Sequence, residues 1–366
     1  MSAVWQVAER FSPRAAVVAI HEVGRGNVHD TYRVSLDSED PPFILQRLNT
    51  RVFPNAREVM ENIVLVTGHV RRRLQTCPLP QGRRFEMPRL LVTPDGLDHW
   101  VGEDGSFWRA MTSIEGARPL DAVEDETQGE EVGWALGLFH RLIADIPVER
   151  LHDTLPGFHE TPRYLARLDN LLDGSDSPRS PEESRCLQYI ERWRGGTAVL
   201  EDAKKKGRLS RRPIHGDPKA ANFLMDSATR RAVSLIDLDT VKPGLVQYDI
   251  GDCLRSCCNR QGEDPPLWES VDFDTELCRA VLKGYLGEGR TFFTAADYEH
   301  VYDAMRLIPY ELGVRFFSDH LEGDVYFKVR YPGHNLARAL VQFRLAERVE
   351  SRRRRILMIL RELRGP

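Results

Sequence analysis

Cysteine is scarce in this chain and scattered. Six residues, at positions 77, 186, 253, 257, 258 and 278, are spread over 366. So thin a set builds no disulfide framework, and a reducing, cytoplasmic setting is the expected one. Cys253, Cys257 and Cys258 are close in sequence, but no second ligand pair follows them. They read as small buried apolar residues rather than a metal site. Long apolar runs are missing as well: none reaches the roughly 18 residues of a membrane span. The opening MSAVWQVAERFSPRAAVV lacks the charged-then-apolar order of a signal peptide. Positive charge is not in excess. A net charge of -4 argues against a broad nucleic-acid-binding surface. Repeats and low-complexity tracts are absent, and nothing fixes an oligomeric state. What remains is a globular composition, 41% hydrophobic and 29% charged.

The chain is long enough for two or three domains or one two-lobed unit. Residues 1–112 read as strands and turns with one helix. GRGNVHDTYRVSL and PFILQRLN alternate in polarity around a turn at 37–42. Asn55 can cap a helix whose Val59, Ile63, Val66 and Val70 recur at helical spacing. Three short strands follow over 87–116. Residues 113–366 are mostly helical, beginning with the amphipathic GEEVGWALGLFHRLIADI. The expected fold class is α+β, with a small β-rich lobe, a larger helical lobe and a ligand cleft between them.

Chemistry concentrates in RPIHGDPKAANFLMDSATRRAVSLIDLDTV, residues 211–241. Two short strands joined by a turn at 226–230 would bring Asn222 beside Asp237. Two hard oxygen ligands on adjacent segments suit Mg²⁺, which takes few protein ligands and relies on phosphate for the rest. Asp217 stands just before them as a candidate base for a hydroxyl, and Lys219 as a cation for a moving phosphoryl group. Base, metal clamp and cation are what phosphoryl transfer requires. The spacing matches a protein-kinase-like catalytic loop, in which His-x-Asp is followed five residues later by Asn. Single acids in such a hairpin are ordinarily turn decoration; the argument rests on the four residues in order. Asp239 reads as support for the metal ligands. Asp249 or Asp252, in QYDIGDCLR, reads as a brace for the loop backbone or as a helix cap. No Ala-Pro-Glu signature follows Asp237, which argues against a protein kinase.

Gly24 and Gly26, with Asn27, form a candidate phosphate lid ahead of a strand. On the next strand Gln46 takes the place where kinase-like lobes carry a cation. Arg47 beside it points to the opposite face. Glu58 and Glu61 follow on the helix as candidate partners for that strand.

The Gly-rich turn, FILQRLNTRVFPNAREVMENI, HGDPKAANFLMD, IDLDTVKPGLVQYDIGD and RFFSDHLEGDVYFKVRYPGHNLARA together resemble the aminoglycoside phosphotransferase/choline kinase superfamily. Within it they are most similar to N-acetylhexosamine 1-kinases. The resemblance runs from about residue 20 to 345 and departs from that subgroup at Gly216 and in the polar residues of GRGNVHD. It implies a protein-kinase-like two-lobed fold, ATP with Mg²⁺, and phosphorylation of the anomeric hydroxyl of GlcNAc or GalNAc. It also implies Asp217 as catalytic base and Asn222 and Asp237 as metal ligands. On the acceptor side the candidates are Arg315, Asp319 and Tyr326, with His29 and His159. Arg315 and Asp319 are one helical turn apart, so a plain surface ion pair is the alternative. A kinase of another small alcohol (aminoglycoside, choline or homoserine) and an inactive kinase-fold binding protein are the rival functions.

Overall fold

The structure is a computed structural model, and it describes residues 3–23, 28–173 and 178–364. The chain divides into two compact units between Ala117 and Arg118.

The first unit opens with α1 (Ala3–Arg10) and continues through β1 (Val17–Glu22), β2 (Asp30–Leu36), β3 (Phe43–Leu48), α2 (Ala56–Thr76), β4 (Trp100–Val101) and β5 (Phe107–Thr112). The strands make one antiparallel sheet in the order β1-β2-β3-β5-β4. Val34, Leu45 and Ala110, one from each of the three central strands, are fully buried on one face. They pack with Val7, Ala8 and Phe11 at the N-terminal helix. α2 buries Val59, Ile63, Val66 and Val70, the face its sequence periodicity predicts. Asn55 stands at its N-cap, yet its amide donates to Glu58 Oε2 at 3.3 Å instead of accepting a helix N–H.

The second unit follows β6 (Ala117–Pro119). It contains α3 (Glu126–Ile143), α4 (Thr161–Leu172), α5 (Pro181–Trp193), α6 (Val199–Lys205), β7 (Arg212–Ile214), β8 (Phe223–Asp226), β9 (Ala232–Leu235), β10 (Lys242–Gly244), α7 (Val246–Cys257), α8 (Thr275–Gly289), α9 (Ala295–Leu321), α10 (His334–Ser351) and α11 (Arg353–Arg364). Two features of its packing set up the site. The first is a glycine seam between α3 and α8. A Cβ at Gly133 would overlap the carbonyl of Val281, and one at Gly284 would overlap that of Glu130. The two backbones therefore touch, which seats His140 and Tyr285 side by side. The second is a cluster of Ile214, Leu245, Val246, Tyr248, Ala304, Leu307 and Ile308, which fixes β7 and α7 against α9. α9 starts with a capping box between Thr294 and Asp297. Asp297 also accepts from Arg212 at 2.7 Å and from Gln247 at 2.9 Å, tying in both neighbours.

The C-terminal basic stretch is two helices, broken at Arg352. α11 buries Ile356, Ile359 and Leu360. Among the described residues no helix is long and apolar enough to cross a membrane.

Candidate active site

The loop 215–222 hangs between β7 and β8, and its shape is set from beneath by α7. Asp249, fully buried, accepts the backbone N–H of His215 at 2.7 Å and of Gly216 at 2.8 Å. The same carboxylate accepts from His140 Nε2 at 2.7 Å, and His140 Nδ1 meets the Tyr285 hydroxyl at 2.9 Å. Burial pushes the Asp249 carboxyl up, but His140 and the loop N–H groups outweigh that and hold it below its ordinary value. Seven residues on, Ser256 Oγ accepts from Ala220 N at 3.0 Å. Asp249 is thus the loop brace and lies inside α7. Asp252 takes Arg255 Nε at 2.8 Å instead of a loop N–H.

His215 joins the loop to the strand carrying Asp237. Its Nδ1 accepts from Asp217 N at 3.2 Å, and its Nε2 donates to the Ile236 carbonyl at 2.9 Å. Gly216 has φ +91°, where a side chain is strained, and an added Cβ would lie 2.5 Å from the Thr240 carbonyl oxygen. Glycine at this departure from the resembling subgroup is therefore required by the local backbone. His159, itself left-handed at φ 67°, donates from Nε2 to the Gly216 carbonyl at 2.8 Å and from Nδ1 to Glu311 at 3.2 Å. Both ring nitrogens face acceptors, an arrangement that favours the protonated ring. Burial works against that charge, and Glu311 raises it above the ordinary histidine range. His159 is thereby committed to the loop rather than to an acceptor molecule.

Lys219 Nζ lies 2.5 Å from Asp217 Oδ2. Burial pushes the Asp217 carboxyl up, and Lys219, then His215 and Arg255, bring it below the ordinary carboxylate value. Desolvation likewise opposes the Lys219 charge, and the carboxylates of Asp217 and Asp237 overcome it and raise the ammonium. Asn222 Nδ2 donates to the Asp217 carbonyl at 2.7 Å. That fixes the amide's orientation and leaves Oδ1 with no donor among the described residues. β8 and β9 pair antiparallel through the turn at 226–231, and the ladder runs one step further, Ile236 N to Asn222 O at 2.9 Å. Asp237 follows in the left-handed region, φ 66° and ψ 59°, half-buried. A fixed amide oxygen and a carboxylate on adjoining backbone segments are donors of the type Mg²⁺ prefers. Asp239 is buried, and its carbonyl accepts from Thr154 at 2.9 Å.

On α9, Arg315 lies among four aromatic rings. Its guanidinium carbon is 4.9 Å from the centre of Phe158, 5.4 Å from Tyr164 and Phe327, and 5.8 Å from Tyr326. Among the described residues no carboxylate or carbonyl accepts a hydrogen bond from it, and it feels the charge of Asp217. The pairing with Asp319 does not form. Asp319 is buried and its oxygens accept the N–H groups of Val325, Tyr326 and Phe327, at 3.0, 2.7 and 2.9 Å, and the Asn335 amide at 2.9 Å. Asp319 thereby holds the loop that carries Tyr326 and Phe327.

Of the sites expected in the first unit, Gly24, Gly26 and Asn27 lie outside the described residues. Gln46 sits opposite Arg109 in the β3/β5 ladder. Its Oε1 accepts Arg109 Nε at 3.0 Å and Nη2 at 2.7 Å, and its Nε2 donates to Thr31 at 3.1 Å. The amide oxygen and one amide N–H are thus engaged inside the sheet. The cation at this level is Arg109, 1% exposed, which the sequence reading missed because it lies 63 residues away. Arg47 faces outward over Trp108 at 5.9 Å. His29 Nδ1 accepts from Asn49 N at 3.1 Å, and the ring packs on Phe53.

A family profile described as "APH: Phosphotransferase enzyme family" matches residues 19–287. The chain belongs to this family. It has the family's protein-kinase-like fold, and solved structures resemble it along nearly its whole length. An aminoglycoside phosphotransferase from Alicyclobacillus acidocaldarius superposes with TM-score 0.64 at 18% identity, covering 96% of this phosphotransferase and 95% of that chain. A microcompartment-associated aminopropanol kinase gives 0.61 at 16%, covering 97% and 99%. An ethanolamine kinase from Plasmodium vivax gives 0.52 at 13%, covering 88% and 82%. At these identities the likeness is one of fold.

Proposed function

We propose that the protein is an ATP-dependent small-molecule kinase whose acceptor is the anomeric hydroxyl of an N-acetylhexosamine, GlcNAc or GalNAc. The observation that carries the kinase reading is the braced loop: Asp217 ionised against Lys219, with Asn222 locked so that its oxygen is available. Asp217 orients the acceptor hydroxyl and takes its proton as the acceptor oxygen bonds to the γ-phosphorus of ATP, whose bond to the bridging oxygen breaks so that ADP leaves. Lys219, kept protonated by two carboxylates, turns its ammonium to the transferring phosphoryl. Asn222 Oδ1 and Asp237 are the residues that would hold Mg²⁺, which supplies neutralisation of the phosphate oxygens.

The sugar reading draws on Arg315. A guanidinium among aromatic faces suits a neutral ring bearing a carbonyl, such as an acetamido group, and opposes a cationic acceptor. The test is a panel of hexoses, N-acetylhexosamines, amino alcohols and aminoglycosides with Mg·ATP. It is read by ADP release and by NMR of the product. An anomeric phosphate of GlcNAc or GalNAc supports the reading. Turnover restricted to amino alcohols would replace the sugar with a cationic acceptor, and no turnover on any alcohol would favour a binding protein.

A further inference from the structure

α7 presents one stripe to the catalytic loop. Asp249 holds the N–H groups of His215 and Gly216, and Ser256 holds that of Ala220. Asp252 lies on the same stripe, three residues after Asp249 and four before Ser256. It is 4% exposed. Its Oδ1 accepts from Arg255 Nε at 2.8 Å, while its Oδ2 is shut off from solvent and has no hydrogen-bond partner among the described residues. Arg255 is shared, since its Nη1 also donates to Glu263 at 2.6 Å. The catalytic loop turns the charge of Asp217 on Asp252, while Arg255 and, from the segment before α4, His159, itself paired with Glu311 on α9, act the other way.

A buried carboxylate with one empty oxygen, next to a second carboxylate and half of an arginine, is poorly stabilised as an anion. Protonation of the empty oxygen removes the like-charge repulsion and turns an unused acceptor into a donor. Asp217 is the better-compensated member of the two, with Lys219 on its Oδ2. Burial together with the Asp217 charge acts in the same direction on Asp252, raising its carboxyl above the ordinary range.

We propose that Asp252 is a positioning residue that carries a proton on Oδ2 while Asp217 is ionised, giving the catalytic loop a buried neutral donor beside its base. The proposal rests on the reading of Asp217 as the base, but its first test does not need turnover. The infrared difference spectrum of the folded protein at neutral pH, wild type minus Asp252→Asn, should show the carbonyl band of a protonated carboxyl. In Asp217→Asn, where the neighbouring charge is gone, that band should fade at a lower pH than in wild type. If Asp252→Asn does not fold, Asp252→Ser serves for the subtraction. In kinetics, Asp252→Asn, neutral and a donor, should keep kcat within about 3-fold of wild type. Asp252→Ala should lose about 10²-fold in kcat with little change in KM for ATP. Absence of the protonated band would overturn the proposal even in an active kinase. So would Asp252→Asn falling as far as Asp252→Ala with both folded. An inactive protein that shows the band would leave Asp252 as assigned and remove the kinase reading instead.

Discussion

Asp249 accepts the backbone N–H of His215 at 2.7 Å across 34 residues of sequence. That bond, with its companion to Gly216, converts a loop of two short strands into a fixed platform for Asp217. Asp249→Asn puts an amide N–H where two backbone donors and His140 converge. A loss of about 2–4 kcal/mol is expected, the scale of an unpaired buried polar group or a broken buried charge network. The Asp249 carboxyl is depressed in the folded protein, so its stabilisation is complete above the ordinary carboxylate range near about pH 4. It is lost as pH falls through the lower folded value. Denaturant titrations of wild type and variant should therefore differ by a constant amount above about pH 5 and converge on acidification.

Gly216→Ala places a methyl group against the Thr240 carbonyl and forces a left-handed backbone on alanine. Strain and overlap together should cost about 2–4 kcal/mol. Thermal melts should show Tm falling by roughly 5–15 °C, with kcat reduced even at temperatures where the variant is folded.

Arg315→Ala removes the cation from the aromatic box and leaves the loop brace at Asp249 intact. KM for the acceptor should rise about 10–100-fold, the worth of a charged hydrogen bond, while KM for ATP stays within about 2-fold. Steady-state kinetics with each substrate varied separately measures both.

Asn222→Ala deletes one of the two oxygen ligands assigned to the metal. The Mg²⁺ concentration giving half-maximal activity should rise about 10-fold or more, and chelation by EDTA should abolish wild-type turnover. Isothermal titration of Mg²⁺ with a non-hydrolysable ATP analogue checks the same loss without turnover.

The hairpin from 211 to 241 was legible because its chemistry is local: Asp217, Lys219 and Asn222 fall within one turn, and the strand to Asp237 follows a short reverse turn. The buried face of α2 was legible through its 3.6-residue period. What sequence could not disclose was long-range: His140 reaching Asp249 across 109 residues, and Arg109 meeting Gln46 across 63. The contacts of Asp319 were hidden for a related reason. Its helical spacing to Arg315 was real, but backbone N–H groups from a loop after the helix captured the carboxylate first. Gly129, Gly133 and Gly137 carried a signal that was passed over, since their four-residue spacing on α3 marks the seam with α8 that seats His140.

The central claim is that Asp217 is the base of a phosphoryl transfer, and the most direct measurement is kcat of Asp217→Asn beside wild type, with Mg·ATP and the best acceptor from the panel. The variant's kcat should fall about 10²–10⁴-fold or more with the fold and ATP binding retained. Wild-type-like turnover by a folded Asp217→Asn variant would contradict it.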